Sequence, residues 1–292
     1  MPIIDAHVHL QNPSVPLPDL PLFEGFSAPS DELIADHDRW DVDGAVFVPM
    51  DADKRNLEYC ADAVERYPGE SAVIGIQPDA EDLLQRYRTD VEQHGIRGWR
   101  VTGLGGATTD VTKLDLWPVF EEMATRDHCL WMYPHPGEYE LVDEIAARLP
   151  ELNVVYNLLG FPHPEDGDYY ELDEHGLPRI TRWDMPKDFP ADARSSLLAS
   201  GERENTYVLW GVHWQYSSER YPYADLADHG RALLEAFGAD HIAFMTDWPW
   251  MVDEPGYQAC LDMIDDHFPD LTPSEREAVM GGTAAELLGF DE

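Results

Sequence analysis

The chain has 292 residues, 43% of them hydrophobic, with 9 Trp and 13 Tyr, enough to bury one large core. Its 58 acidic residues against 19 basic ones give a net charge of -39, which repels nucleic acid and anionic membranes. No apolar run approaches the roughly 18–20 residues of a bilayer span, and no basic-then-apolar leader is visible, so a cytoplasmic protein is expected.

The acids are spread along the chain, and only Lys54, Lys113 and Lys187 are lysines. This pattern resembles proteins of salt-loving organisms, where molar salt shortens the screening length to about 3 Å. The charge therefore predicts habitat and says little of the substrate. Cys60, Cys129 and Cys260 are scattered without a CxxC spacing and read as buried small apolar residues in a reducing compartment.

In chain order, eight short apolar runs stand out: 3–10 (IIDAHVHL), 43–50, 71–78, 95–103, 129–136, 153–160, 205–213 and 241–249. Several are continuously apolar, as parallel strands buried on both faces are. Amphipathic segments with terminal breakers separate most of them: DELIADHDRWDV after Ser30 as cap, NLEYCADAVERYPG, AEDLLQRYRTDVEQHG, LWPVFEEMATRDH, EYELVDEIAARLP and YADLADHGRALLEAFG. Strand–helix alternation of this length predicts a single-domain α/β fold over 1–292, the (β/α)8 TIM barrel. Two segments break the rhythm. Residues 11–30 are proline-rich and predict a long loop after the first strand. Residues 161–204 form an insertion in which DYYELDEHGLPRIT reads as a hairpin. Both leave the C-terminal ends of strands and are expected to roof a pocket.

Asp5, His7 and His9 lie two positions apart in the first run, so a regular strand would project all three from one face. Two imidazoles from one strand suit a metal ion. Other polar residues also fall at strand ends: Arg100, His135, Asn157, His213 and Asp247. His7, His9, His135 and Asp247 can converge at a barrel mouth, and three imidazoles with one carboxylate suit Zn2+ or a related divalent ion. Asp5 reads as a partner behind a ligand histidine or as a buried group bonded to backbone. Arg100 reads either as a clamp for a substrate carboxylate or as the partner of a surplus acid. Trp131, Tyr133, Trp210, Trp214, Trp248 and Trp250 crowd the ends of the same runs. Those beside His135 and Asp247 predict a flat or ring-bearing substrate. GLGG (103–106) lacks the setting of a phosphate loop and reads as a flexible strand-end loop.

DAHVH, PHP, TYVLWGVH, YPYADLADHGRALLEAFGADHIAFMTDWP and the tail MGGTAAELLGF together resemble the amidohydrolase superfamily, in its branch of lactonases, decarboxylases and hydratases. The resemblance covers nearly the whole chain. It implies His7, His9 and His135 as metal ligands and Asp247 as a ligand or as the base toward the attacking water. Two departures matter. No lysine stands near the fourth run, where relatives with two metals carry a carboxylated one, so one ion is expected, Zn2+ with Mn2+ as the other candidate. Where relatives often carry Asp-His-Leu-Gly, this chain has Asn157-Leu158-Leu159-Gly160. The strand-end histidine is therefore missing, with His163 and His213 as neighbours in sequence. The expected activity is metal-dependent hydrolysis of a lactone or other acyl bond in a small organic acid. Asp247 serves as general base, and Arg100 or Asn157 orients the substrate. The rival readings are a decarboxylase or hydratase on the same scaffold and a non-catalytic binding barrel. The expected partners are a small-molecule substrate and, at most, further copies of the chain.

Overall fold

The computed structural model describes residues 2–16, 26–105, 108–163, 189–253 and 255–290. The elements run β1 (Ile4–Leu10), α1 (Ser30–Arg39), β2 (Gly44–Pro49), α2 (Lys54–Val64), β3 (Glu70–Val73), β4 (Gly75–Ile76), α3 (Leu83–His94), β5 (Gly98–Thr102), α4 (Trp117–Thr125), β6 (Cys129–Tyr133), α5 (Tyr139–Arg148), β7 (Asn153–Tyr156), α6 (Ala191–Ser200), β8 (Thr206–Trp210), α7 (His213–Tyr216), α8 (Ala227–Phe237), β9 (Ile242–Phe244), α9 (Tyr257–His267), α10 (Pro273–Glu277) and α11 (Thr283–Leu288). Each of the eight apolar runs contains a strand. The third is divided at Ile74, because the chain changes partner there. The Ile74 N–H donates back to Phe47 at 3.0 Å, whereas Gly75 and Ile76 pair with β5.

Every strand pair is parallel, in the orders β1-β2-β3 and β4-β5-β6-β7-β8-β9. The strands form two sheets, not one ladder, and backbone hydrogen bonds bridge both joins. At one join the Arg97 N–H donates to the Val73 carbonyl at 2.8 Å. At the other, the His9 N–H donates to the Trp248 carbonyl at 2.7 Å and the Asp247 N–H donates to the His7 carbonyl at 3.1 Å. The second join matters for function, because it brings the two ends of the chain side by side.

Local chemistry sets the helix boundaries. Asp53 accepts from the Arg55 N–H and starts α2; Asp82 accepts from the Gln85 N–H and starts α3, which stops at Gly95 with φ +62°. Ser30 does not cap α1. It is the first helical residue after Pro29, and its hydroxyl instead receives the Arg66 guanidinium at 2.9 Å. The three cysteines are buried and free, and burial pushes their thiols up in pKa.

Side chains sort to two faces by the strand period of two. Trp99 reaches Asp90 of α3 with its indole N–H at 3.3 Å, so it points to the helices. Its neighbour Arg100 points to the interior, in register with Ile76 and Trp131, and Trp131 with Val155. Tyr156 stacks on Tyr139 of α5 on the helix side, which turns the next residue, Asn157, inward. The expected hairpin at 168–181 lies outside the described residues. Among the described residues no helix is long and apolar enough to cross a membrane.

Candidate active site

The first strand does not project Asp5, His7 and His9 from one face. Asp5 pairs with Ala45 and Val8 with Phe47, so the register slips by one residue between them. Such a bulge sends the side chains on its two sides to opposite faces. Asp5 goes to the helix side. Its carboxylate accepts from the Thr246 N–H at 2.9 Å, the Thr246 hydroxyl at 2.6 Å and the Tyr257 hydroxyl of α9 at 2.6 Å. Of the two readings for Asp5, the buried group bonded to backbone is the one observed. It touches neither His7 nor His9, and it secures Thr246, the residue before Asp247.

His7 and His9 go to the interior and meet Asp247. The Asp247 Oδ1 lies 3.3 Å from His9 Nε2 and 3.8 Å from His7 Nε2. One ligand atom from each of the three side chains lies within 4.8 Å of the others, and all three residues are buried. His9 Nδ1 is 3.2 Å from the Val48 carbonyl. Donation there leaves the Nε2 lone pair facing Asp247. Burial, then the neighbouring His9 and Arg100, hold the His7 pKa well below the ordinary range, so His7 is neutral at neutral pH. Neither ring nitrogen of His7 finds a hydrogen-bond partner among the described residues. Gln215 of α7 donates its amide N–H to Asp247 Oδ2 at 3.0 Å. Two imidazoles and a carboxylate without a lysine or arginine partner among the described residues are a donor set that suits one divalent cation.

His135 is not in this group. It sits past the end of β6, and its ring packs edge to face on His163 with centroids 5.2 Å apart. Glu138 joins the β5 and β6 loops: its carboxylate accepts from the His135 N–H at 2.9 Å and from the Leu104 N–H at 2.7 Å. Gly103 makes this fit possible. Its φ is +69°, and a Cβ there would stand 2.5 Å from the His135 ring.

Arg100, Trp131 and Asn157 bring the remaining chemistry. Arg100 forms no ion pair among the described residues, although acids outnumber bases threefold. Its Nε finds no partner among the described residues, and its guanidinium lies 5.5 Å from the Tyr133 ring centre. The reading of Arg100 as partner of a surplus acid is therefore not what is observed. Asn157 and Trp131 are fully buried, and neither the Asn157 amide nor the Trp131 indole N–H finds a partner among the described residues. The hydroxyls of Tyr133 and Tyr216 meet at 2.8 Å, and Phe161 stacks on Tyr216 at 4.1 Å.

The aromatic residues beside Asp247 behave differently from expectation. Trp248 donates its indole N–H to Asp36 of α1 at 2.9 Å, and Trp210 packs on Phe268 and His267, so both face the helices. Trp250 packs on Phe26. His213 is buried against Trp210 and His267, and burial holds it well below the ordinary histidine range. It thus belongs to the packing behind β8. His163 is the one of the two neighbouring histidines that reaches the mouth. Gln215, Glu138, Thr246 and Tyr257 were not visible as site residues in the sequence. A polar residue soon after a strand end was the only available signal for Gln215.

Backbone strain marks the same rim. Leu158, Leu159, Val212 and Asp247 have φ of 50°, 57°, 57° and 62°, and follow β7, β8 and β9. Left-handed backbone costs roughly 1–2 kcal/mol for a residue with a Cβ and collects at functional sites. Here it turns the strand ends over the mouth.

This fold and site define a parallel α/β scaffold with a candidate metal group at its strand ends. The chain matches the amidohydrolase family over residues 4–290 and belongs to it, and the family's fold implies a (β/α)8 barrel. Among solved structures it is similar to a zinc-bound amidohydrolase from Burkholderia multivorans (17% identity, 100% of each chain, TM-score 0.76). It is also similar to a protein of Pseudomonas putida assigned as a 2-pyrone-4,6-dicarboxylic acid hydrolase (19% identity, 100% of this chain and 98% of that one, TM-score 0.71). A third is the dihydroxybenzoic acid decarboxylase of Polaromonas with bound manganese (15% identity, 100% and 98%, TM-score 0.61). No curated protein matches the chain.

Proposed function

We propose that the protein is a metal-dependent hydrolase that opens a lactone or related acyl bond in a small, flat organic acid. The observation that carries this reading is the buried group of His7, His9 and Asp247. These three would hold one divalent ion, Zn2+ before Mn2+, and His135 stands by the mouth as a candidate fourth ligand. When bound, the ion supplies Lewis acidity toward a water and a carbonyl oxygen. Asp247, held by Gln215 with Oδ1 on the side of His9, would accept the proton released by the attacking water. Arg100, unpaired beside Tyr133, takes the substrate carboxylate, and the Asn157 amide orients the acyl group. The zinc of the Burkholderia structure and the dicarboxylic acid named for the Pseudomonas one support the same assignment.

A decarboxylase is the second reading. The contact of His163 with His135 favours it, since a second imidazole at the mouth offers a proton donor. Against it, the histidine's place after β7 is taken by Leu158 or, with a one-residue shift, by Asn157, both buried and neither an imidazole. A panel of lactones and a panel of aromatic carboxylic acids, assayed with the wild type and with Asp247→Asn, separate the two. Hydrolysis that disappears in the variant, without CO2 release, is expected. CO2 release without hydrolysis would overturn the reading.

A further inference from the structure

We infer that Gln215 is a positioning residue that fixes which oxygen of Asp247 faces the two imidazoles. The inference deepens the reading above, although its geometry stands without it. A carboxylate turns easily, because the last torsion of aspartate joins tetrahedral to planar carbon and has broad, nearly two-fold wells. Something must therefore hold Asp247 if one oxygen is to be presented. Among its side-chain contacts, the Gln215 amide is the donor: Nε2 reaches Oδ2 at 3.0 Å, and Oδ1 is left toward His9 at 3.3 Å and His7 at 3.8 Å. Both partners are buried, at 6% and 5% exposure, so water competes little for the bond.

The chain sets up this contact at a cost. Val212 is β-branched and sits at φ 57°, where such residues are outliers. That turn reverses the chain after β8 and starts the single turn of α7; the Gln215 N–H closes it on the Val212 carbonyl at 2.9 Å. The next residue, Tyr216, is held by the Tyr133 hydroxyl on one side and the Phe161 ring on the other. Gln215 thus hangs from a short segment fixed at both ends. Its chemistry also suits the task. An amide donates without carrying charge, so it orients Asp247 without neutralising it. A lysine there would quench the carboxylate, and a glutamate would repel it.

The test compares wild type with Gln215→Leu, which keeps the volume and removes the donor, and with Gln215→Met, a more adaptable chain should leucine pack poorly. Crystal structures of each without added metal report the Asp247 orientation. Competition of zinc with a chelating dye reports affinity. Both variants are expected to unfold near the wild-type temperature, to lose the contact between Asp247 Oδ1 and His9, and to bind zinc about 10–100-fold more weakly. A variant that keeps the contact and the wild-type zinc affinity would overturn the inference. A wild type that takes up no zinc would sink the functional reading. The inference would then be decided by the carboxylate's orientation alone, kept in the wild type and lost in the variants if it holds.

Discussion

The two sides of the mouth differ in how their polar groups are satisfied. On the β1–β9 side most groups are held, the His7 ring apart: Asp5 grips Thr246 and Tyr257, Gln215 grips Asp247, and Val48 orients His9. On the β5–β7 side the Arg100 Nε, the Trp131 indole and both ends of the Asn157 amide find no partner among the described residues. Buried polar groups are normally paired, and an unpaired one costs about 1–3 kcal/mol. Around His7 the first side is thus fixed by its own residues, and the second leaves its polar groups without partners among the described residues.

The sharpest way to break this comparison is Asp247→Asn. It keeps the shape and the Gln215 contact but removes the proton acceptor, and turnover is expected to fall about 10³-fold. A variant retaining a tenth of wild-type activity would move the base elsewhere. Asp5→Ala tests the held side by stability. It strands the Thr246 and Tyr257 donors in a buried place, at a cost of about 3–5 kcal/mol in denaturant unfolding. An unchanged midpoint would mean that strand β9 is secured by other contacts.

Arg100→Met tests the open side, and its signature is a split. With a carboxylate substrate, kcat/KM should fall about 10–100-fold, while the melting temperature holds or rises because no ion pair is broken. A marked loss of stability would show that Arg100 serves the fold. The smallest effect is pH. Burial draws His128 and His229 down to about 4, below the ordinary value near 6.5. The unfolded chain takes up these protons first as pH falls. The stabilisation is therefore complete above about 6.5 and drains away between there and about 4. For His229 the slope is on the order of 1 kcal/mol per pH unit, and His229→Gln should flatten the curve from pH 7 to 5.5.

The sequence made the strand–helix rhythm legible because buried parallel strands are continuous apolar runs. The eight runs and most of the helices between them needed no tertiary information. His7, His9 and Asp247 were legible as neighbours because strand ends on one face of such a fold must meet, but His135, expected with them, stands outside the group. What stayed hidden depends on register and backbone angle. The bulge after Asp5 leaves no mark in IDAHVHL, yet it decides that Asp5 supports Thr246 and not a histidine. Val212, Leu158 and Leu159 adopt left-handed backbone without glycine's signature, so the turn that starts α7 and aims Gln215 at Asp247 left no local sign. The outward turn of Trp248 toward Asp36 followed from the same cause: a neighbour of Asp247 on the chain need not share its face.

The most direct test of the account is the metal content of the purified chain, measured against that of His7→Ala. Protein prepared without chelator and supplemented with Zn2+ should carry about one zinc per chain, and His7→Ala should lose most of it while remaining folded. Less than about 0.2 metal per wild-type chain after both Zn2+ and Mn2+ supplementation, or full occupancy in the variant, would contradict a metal centre built on His7, His9 and Asp247.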